Sequence, residues 1–434
     1  MLRVFETFSG IGSQAKALKN AGIEHEIIAT ADWDVGAIVA YDLIHNGPPT
    51  RDVVTEMSVE DVDLCLDKYS FSLTGKIPTP KSAIRKLSED AKRRLLSAVF
   101  RSNNLVNITD IKGSAVPKDV DLLTYSFPCQ DLSLCKFWHG TVYGIDRNTH
   151  TRSGMLWEVE RILLEMQTAG HRLPRFLLME NVCAILNYLN KKNFDEWKLI
   201  LKNLGYMNIV YRLNAKDFGI PQNRERAYMI SIRTDGNMAL GSKAYEFFRC
   251  SNDLQNQVVS RQLRRRSIHL QDVLRLDYSN PVYKAEADES QPNDTESRRK
   301  IYETNVHLLD DSGQPLDIVV NTVTTKQDRH PNSGVIKYSG SKESGACYRN
   351  LTPRECFLLM GFDEADVDIL LKYNLPQNGR SMLFSRDKLI KMAGNSIVVD
   401  VLECLFRLID DANTLLWNDE EGCNDVRYHV SGEA

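Results

Sequence analysis

A thiol that does chemistry must be held where a ligand can reach it, and Cys129 meets that requirement. It lies in Ser126-Phe127-Pro128-Cys129-Gln130, directly after an apolar run over residues 120–125 whose pattern predicts a strand. The C-terminal ends of strands are where open α/β sheets bind ligands. A cysteine there is a candidate nucleophile, whereas most intracellular cysteines are small apolar fillers. Two further reactive groups stand at comparable places. Glu180 closes the apolar run over 176–179, in Glu180-Asn181-Val182, and Arg224 and Arg226 lie in Gln222-Asn223-Arg224-Glu225-Arg226, just before a run over 227–233. A carboxyl group whose pKa is raised by burial can share or give a proton, and an arginine can absorb developing negative charge. In an extended segment Glu225 points the other way from Arg224 and Arg226, so it reads as structural.

A second constellation is suited to holding a ligand. Phe8, Gly10, Ile11 and Gly12 make a turn between an opening strand and a helical stretch. Glycines there let backbone amides and a helix N-terminus approach a ligand closely. About twenty residues on, Asp32 closes a second strand, where a carboxylate can accept ribose hydroxyls. On these residues alone a nicotinamide cofactor competes, although Ser13-Gln14-Ala15 stands where the third glycine of the dinucleotide fingerprint belongs.

The elements that must position these groups start as β-turn-α-β-α, which predicts an α/β fold with a doubly wound, Rossmann-like sheet. Residues 1–235 form the first domain, with a charged helical insertion over 51–105 whose helices are expected over 59–69 and 82–100. Residues 236–387 are irregular and polar and form a smaller second domain. Residues 388–417 return to the first domain as a helix, and 418–434 are a polar tail. Of the 434 residues, 42% are hydrophobic and 26% charged, enough for a sizeable core. The net charge of −4 means that nucleic-acid binding would need local basic patches, for which Lys92-Arg93-Arg94, Arg264-Arg265-Arg266 and Arg298-Arg299-Lys300 are candidates. Nine cysteines without a Cys-x-x-Cys pair argue against a disulfide framework or a zinc site, so no metal is expected. The absence of a leader-like start or a long apolar run points to a cytoplasmic protein, and no heptad pattern departs from a monomer.

The ordered set Phe8-x-Gly10-x-Gly12, Pro128-Cys129-Gln130, Glu180-Asn181-Val182 and Gln222–Arg226, followed by the stretch from Arg349 to Cys356 and by Gly394-Asn395-Ser396-Ile397, resembles the DNA cytosine-5 methyltransferase family. The likeness runs from Val4 to about residue 405, with gaps at 50–105 and 236–345. It implies a prokaryotic or phage enzyme that transfers methyl from S-adenosylmethionine to carbon 5 of cytosine in double-stranded DNA. Such an enzyme is solitary or accompanies a restriction endonuclease without a stable complex. The first domain is then catalytic and the second recognises the target.

The resemblance also implies roles. Cys129 adds to carbon 6 of the cytosine, Glu180 faces ring nitrogen 3, Arg226 binds the carbonyl at position 2, and Arg224 crosses the site or steadies its loop. Asp32 holds the cofactor ribose, Trp33 packs on the adenine, and Asp110 and Ile111 meet the adenine edge. Pro128, Leu156, Asn395, Ser396 and Ile397 complete that pocket. Gln130, Ser133 and Arg152 fall to DNA, as do Thr322, Lys326, Gln327 and Arg329 in the recognition region. A base inside a duplex cannot meet a thiol, so the target must be flipped out. Three alternatives remain at this point: a tRNA cytosine methyltransferase of the same fold, a catalytically silent DNA-binding paralogue, and a nicotinamide enzyme with a structural cysteine.

Overall fold

A computed structural model describes residues 1–128, 152–328, 331–379 and 381–421. Strand β1 (Leu2–Thr7) and strand β2 (His25–Ala31) are joined by helix α1 (Ser13–Ala21), and α2 (Val35–His45) follows. The chain then leaves the sheet through α3 (Val59–Leu66), α4 (Lys81–Ile84) and α5 (Glu89–Arg101), and re-enters at β3 (Leu122–Tyr125). Helix α6 (Leu156–Thr168) precedes β4 (Phe176–Val182), and α7 (Tyr188–Asn203) precedes β5 (Tyr206–Asn214). The two-residue β6 (Gln222–Asn223) leads into β7 (Glu225–Arg233).

The strand order is β2-β1-β3-β4-β7-β5. The first four run parallel, and β7 is antiparallel to both its neighbours. Both faces are covered, which is why these strands read as nearly continuous apolar runs. Successive side chains go to opposite faces: Val4, Leu122, Phe176 and Leu178 join one core, while Phe5, Leu123, Leu177 and Met179 join the other.

The rest of the chain comprises α8 (Met238–Tyr245), α9 (Gln257–Leu263), α10 (Leu270–Val273), α11 (Pro281–Glu289), α12 (Glu296–Thr304), β8 (Val320–Asn321), β9 (Ile336–Lys337) and β10 (Tyr348–Arg349). It ends with α13 (Pro353–Leu359), α14 (Glu364–Lys372), α15 (Arg386–Asn395) and α16 (Val399–Glu421). The stretch expected as one returning helix over 388–417 is two, α15 and α16, broken over 396–398; α16 packs against α1, and Glu403 accepts a hydrogen bond from Asn20 at 2.9 Å. Among the described residues no helix is long and apolar enough to cross a membrane.

Three further expectations need correction. Residues 238–274 do not belong with the irregular region. Ala244, Phe248, Leu254, Leu270 and Val273 share the core of the sheet, and Tyr211 donates to the Phe248 carbonyl at 3.0 Å. The boundary at 236 reflected a polar surface, which says little about the buried face. The insertion helix expected over 82–100 is two helices, because Ser88 accepts from the Ala91 amide and so caps a new start. The three basic clusters are largely neutralised within the fold. Lys92 pairs with Asp63 at 2.7 Å, Arg93 with Glu89, Arg265 with Glu403, Arg266 with Asp400, Arg299 with Asp294 and Lys300 with Glu296.

The motif from Arg349 to Glu355 turns out to be a structural knot. The Arg349 guanidinium donates two 2.8 Å bonds to the Glu355 carboxylate, and both side chains are fully buried. Glu355 also accepts from the amides of Thr352 and Arg275, which caps α13 and fixes the preceding loop. Removing one partner would leave a buried guanidinium uncompensated. Glu355→Ala should therefore lower stability by about 3–5 kcal/mol, read as a shifted urea midpoint.

Candidate active site

One cavity of about 420 Å³ opens at the C-terminal ends of β1, β2, β3 and β4. Its floor is the turn after β1. Phe8 adopts φ +54°, a left-handed conformation unusual for a side chain of its size, and Gly10 follows at +55°. Gly12, at φ +80°, starts α1; a Cβ there would lie 2.1 Å from His45 Nε2, the ring that bonds the Ile11 carbonyl at 3.0 Å. Gly12 therefore shapes the turn from behind, while Phe8, Gly10 and Ile11 line the cavity.

Asp32 fixes one end. Its carboxylate accepts from the Gly10 amide at 2.9 Å and from the Asp34 amide at 2.8 Å. Burial and the neighbouring Asp34 push its pKa up to about 6, against these two hydrogen bonds and Lys391. The half-buried Trp33 lines the same end.

Asp110 and Ile111 do not reach this cavity. They border a separate depression with Tyr69 and Phe100, and the wall expected of them is formed by Asn107, Ile108 and Thr109. The reason is the return of the insertion: Asn103 and Leu105 bond both sides of Thr30, and Asn104 Oδ1 accepts from the Asp32 amide at 3.2 Å. That register delivers the three residues immediately after Val106 to the pocket. Asp110 and Ile111 were expected here from the family resemblance, and no local pattern in the sequence marks Asn107 instead.

The other end carries the candidate reactive groups Glu180 and Arg226. Glu180 is 13% exposed at the end of β4, and Arg226 Nε lies 3.5 Å from its Oε1. Burial pushes the Glu180 pKa up, while Arg226 and Arg224 pull it down. Asn181 is buried between the two strand ends and donates to the Phe127 carbonyl at 3.0 Å, thereby holding Phe127-Pro128 beside Glu180. Cys129, Gln130, Ser133 and Arg329 lie outside the described residues, as does the side chain of Arg152.

Arg224 is a tether. It is 5% exposed and donates to the carbonyls of Val323, Gly394 and Ser396, each at 2.9 Å. It thus brings Asn395, Ser396 and Ile397, which line the cavity, against the β6–β7 segment. Leu156 is fully buried in the core behind, and its neighbour Met155 lines the cavity in its place. Glu225 faces away and pairs with Arg212 at 2.7 Å, as its alternation required.

Of the described recognition residues, Lys326 is exposed, and Thr322 donates its hydroxyl to the Asn223 carbonyl at 2.7 Å. Gln327 departs from expectation. Its side chain is 1% exposed and donates to Ser333, so it folds the loop and cannot contact DNA directly. Sequence reasoning also missed Gly75, Lys76 and Pro78 of the insertion and Lys391 of α15, all of which line the cavity. Nothing local marks them, because they come from segments remote in the chain.

Comparison with known proteins gives a consistent picture. Residues 83–410 match the family model described as C-5 cytosine-specific DNA methylase. The type II methyltransferase M2.ScrFI of Lactococcus lactis subsp. cremoris is 31% identical over 408 residues, 94% of this chain and 98% of that protein. The orphan methyltransferase M.SssI of Spiroplasma monobiae is 42% identical over 233 residues, which span 53% of this chain and 59% of that protein. Among solved structures, the S. pombe Dnmt2 methyltransferase superposes with a TM-score of 0.52 at 18% identity, covering 95% of this chain and 99% of that one. At that identity the superposition shows the fold alone.

The electrostatics of the reactive end can be measured directly. A site-resolved NMR titration should put the midpoint of Glu180 above the ordinary carboxylate range. Arg226→Met removes a cation that favours the ionised form, so it should move the midpoint further up. A midpoint that falls, or stays, would contradict the arrangement.

Proposed function

This chain belongs to the C-5 cytosine-specific DNA methylases, and from that premise we propose that it takes its methyl group from S-adenosylmethionine and uses Cys129 as its nucleophile on a cytosine flipped out of double-stranded DNA. The observation that carries this reading is the continuity of the cavity, which runs from Asp32 and Trp33 to Glu180 and Arg226 without an intervening wall. Methyl donor and acceptor must meet in one space, and here they can.

The residues fit an adenosyl cofactor. Gly10, locked by Asp32, offers a close backbone approach, and no third glycine is needed where no pyrophosphate is cradled. Phe8, Ile11, Asp32 and Trp33 would hold it, with Asn107–Thr109, Pro128 and Asn395–Ile397 around them. When bound, it supplies an electrophilic methyl on sulfur.

Carbon 5 of cytosine is a poor nucleophile until a thiolate adds to carbon 6. The new bond from Cys129 Sγ to carbon 6 pushes electron density through the ring toward nitrogen 3 and carbon 5. Glu180, with its pKa raised by burial, shares or donates a proton at nitrogen 3. Arg226 stabilises the negative charge that develops on the position-2 oxygen. Carbon 5 then takes the methyl group, whose former bonding pair would stay on the donor sulfur as a neutral thioether; a base removes the carbon 5 proton, nitrogen 3 gives its proton back to Glu180, and the carbon–sulfur bond breaks to release the Cys129 thiolate. Asn181 and Arg224 hold the surrounding strand ends and loops in register. Flipping costs a few kcal/mol, which DNA contacts must offset; exposed Lys326 and the backbone around Thr322 are the described candidates.

Purified protein with tritiated S-adenosylmethionine and mixed-sequence duplex DNA should yield labelled 5-methylcytosine. Cys129→Ser should abolish the label, and tRNA should take none; label in tRNA alone would overturn the DNA assignment. Glu180→Gln should slow single-turnover methylation by about 10²–10⁴-fold. The wild-type contribution of Glu180 should fade as pH rises through its raised pKa, because only the protonated carboxyl can donate.

A further inference from the structure

The chemistry above makes no use of the insertion over 51–105, yet part of it reaches the cavity. Ser72 donates its amide to the Trp33 carbonyl at 2.8 Å, and the Val35 amide donates to the Ser72 carbonyl at 3.0 Å. This parallel bridge attaches the insertion to the backbone immediately after Asp32. From there the chain turns back on itself. Ser72 Oγ donates to the Ile77 carbonyl at 2.6 Å, and the Thr79 amide donates to the Phe71 carbonyl at 2.8 Å. Gly75, Lys76 and Pro78, on the loop so formed, line the cavity beside Trp33 and Asp34.

A single ammonium group holds this loop to two other segments. Lys391 of α15 donates to Asp34 Oδ2 at 2.8 Å and to the Thr74 carbonyl at 2.6 Å. Asp34 in turn caps α2 by accepting from the Gly36 and Ala37 amides. The junction has no spare room. Gly75 has φ +65°, and a Cβ there would stand 2.4 Å from Asp34 Oδ2 and 2.9 Å from Lys391 Nζ. Glycine is thus required on both conformational and steric grounds.

We propose that residues 72–78 are a clasp over the adenosine end of the cavity, fastened by Lys391 to Asp34 and Thr74, and that Lys391 and Gly75 are positioning residues for the cofactor. This rests on the S-adenosylmethionine reading of the site. The clasp also has an electrostatic side. Burial and the neighbouring Asp34 push the Asp32 pKa up to about 6, and its bonds to the Asp34 and Gly10 amides and the nearby Lys391 keep it from rising further. Lys391 therefore helps keep the candidate ribose-binding carboxylate ionised while it fastens the loop.

The test is calorimetric titration of the full-length protein with S-adenosylmethionine, for wild type, Lys391→Met, Lys391→Arg and Gly75→Val. Lys391→Met should bind the cofactor about tenfold or more weakly, the scale of a lost charge-assisted hydrogen bond. Gly75→Val should do the same from the opposite side of the junction, and Lys391→Arg should recover much of the loss. In steady-state assays the deficit should fall on the cofactor KM rather than on kcat or the KM for DNA. Wild-type affinity should decline as pH drops through about 6. In Lys391→Met that decline should begin at higher pH, a shift that simple loss of packing would not produce. Folding is checked by melting without ligand; should Lys391→Met unfold, Gly75→Val still decides. Variants that bind like wild type, with the acid limb unmoved, would overturn the clasp alone. A wild-type protein that binds no S-adenosylmethionine would overturn the cofactor reading and the clasp with it.

Discussion

The bond from the Gly10 amide to the Asp32 carboxylate is the constraint around which the rest of the cavity is arranged. It ties the turn after β1 to the end of β2, and the second oxygen of Asp32 holds the amide of Asp34. The turn carries a left-handed Phe8, a conformation that costs about 1–2 kcal/mol and persists only where its surroundings over-determine it. Asp32 is one of those surroundings. Its own burial is costly, as the pKa near 6 records, and that cost is offset by two backbone donors and the nearby Lys391. The site is thus organised around a buried carboxylate whose desolvation its neighbours offset only in part.

A second constraint acts from the other side. Arg224 brings three carbonyls from two remote segments against the strand that carries Arg226. Gln222 does similar work two residues earlier: its side-chain amide donates to the Leu359 carbonyl at 2.7 Å and accepts from the Val323 amide at 2.9 Å. Buried polar side chains of this kind are expensive unless fully bonded, but when bonded they specify one arrangement of the backbone. The C-terminal segment Asn395–Ile397 can line a cavity built by the first half of the chain because of them. The motif over 222–226 therefore joins reactive and tethering residues in one short run, and the alternation along the strand divides the work, with Glu225 left outside.

Much of this was legible in the sequence, and the failures share a cause. The parallel strands announced themselves as apolar runs, and their ends located Asp32, Glu180 and the Phe127-Pro128 step. Asp110 was misjudged because the choice between it and Asn107 turned on the register in which the insertion returns to Thr30, which no local pattern encodes. Lys92, Arg265 and Arg266 were misjudged because their carboxylate partners Asp63, Glu403 and Asp400 lie elsewhere in the chain, whereas Arg93, Arg299 and Lys300 are paired with acids four or five residues away. Gln327 looked like a recognition residue and is folded inward against Ser333. In each case the residue type was read correctly and its partner could not be.

The sequence by itself determined the fold class, the order of the strands along the chain, and which groups are candidates for covalent and proton-transfer chemistry. These follow from periodicity and residue type, which are local properties. Only the tertiary structure decided which polar groups meet. It set Arg224 as a tether, placed Asn107–Thr109 rather than Asp110 and Ile111 in the cavity wall, drew residues 238–274 into the sheet's core, and brought Gly75 and Lys391 to Asp34. Those outcomes depend on contacts between segments tens to hundreds of residues apart, whose formation is governed by burial and hydrogen-bond satisfaction across the whole fold and leaves no signature in any one stretch of chain.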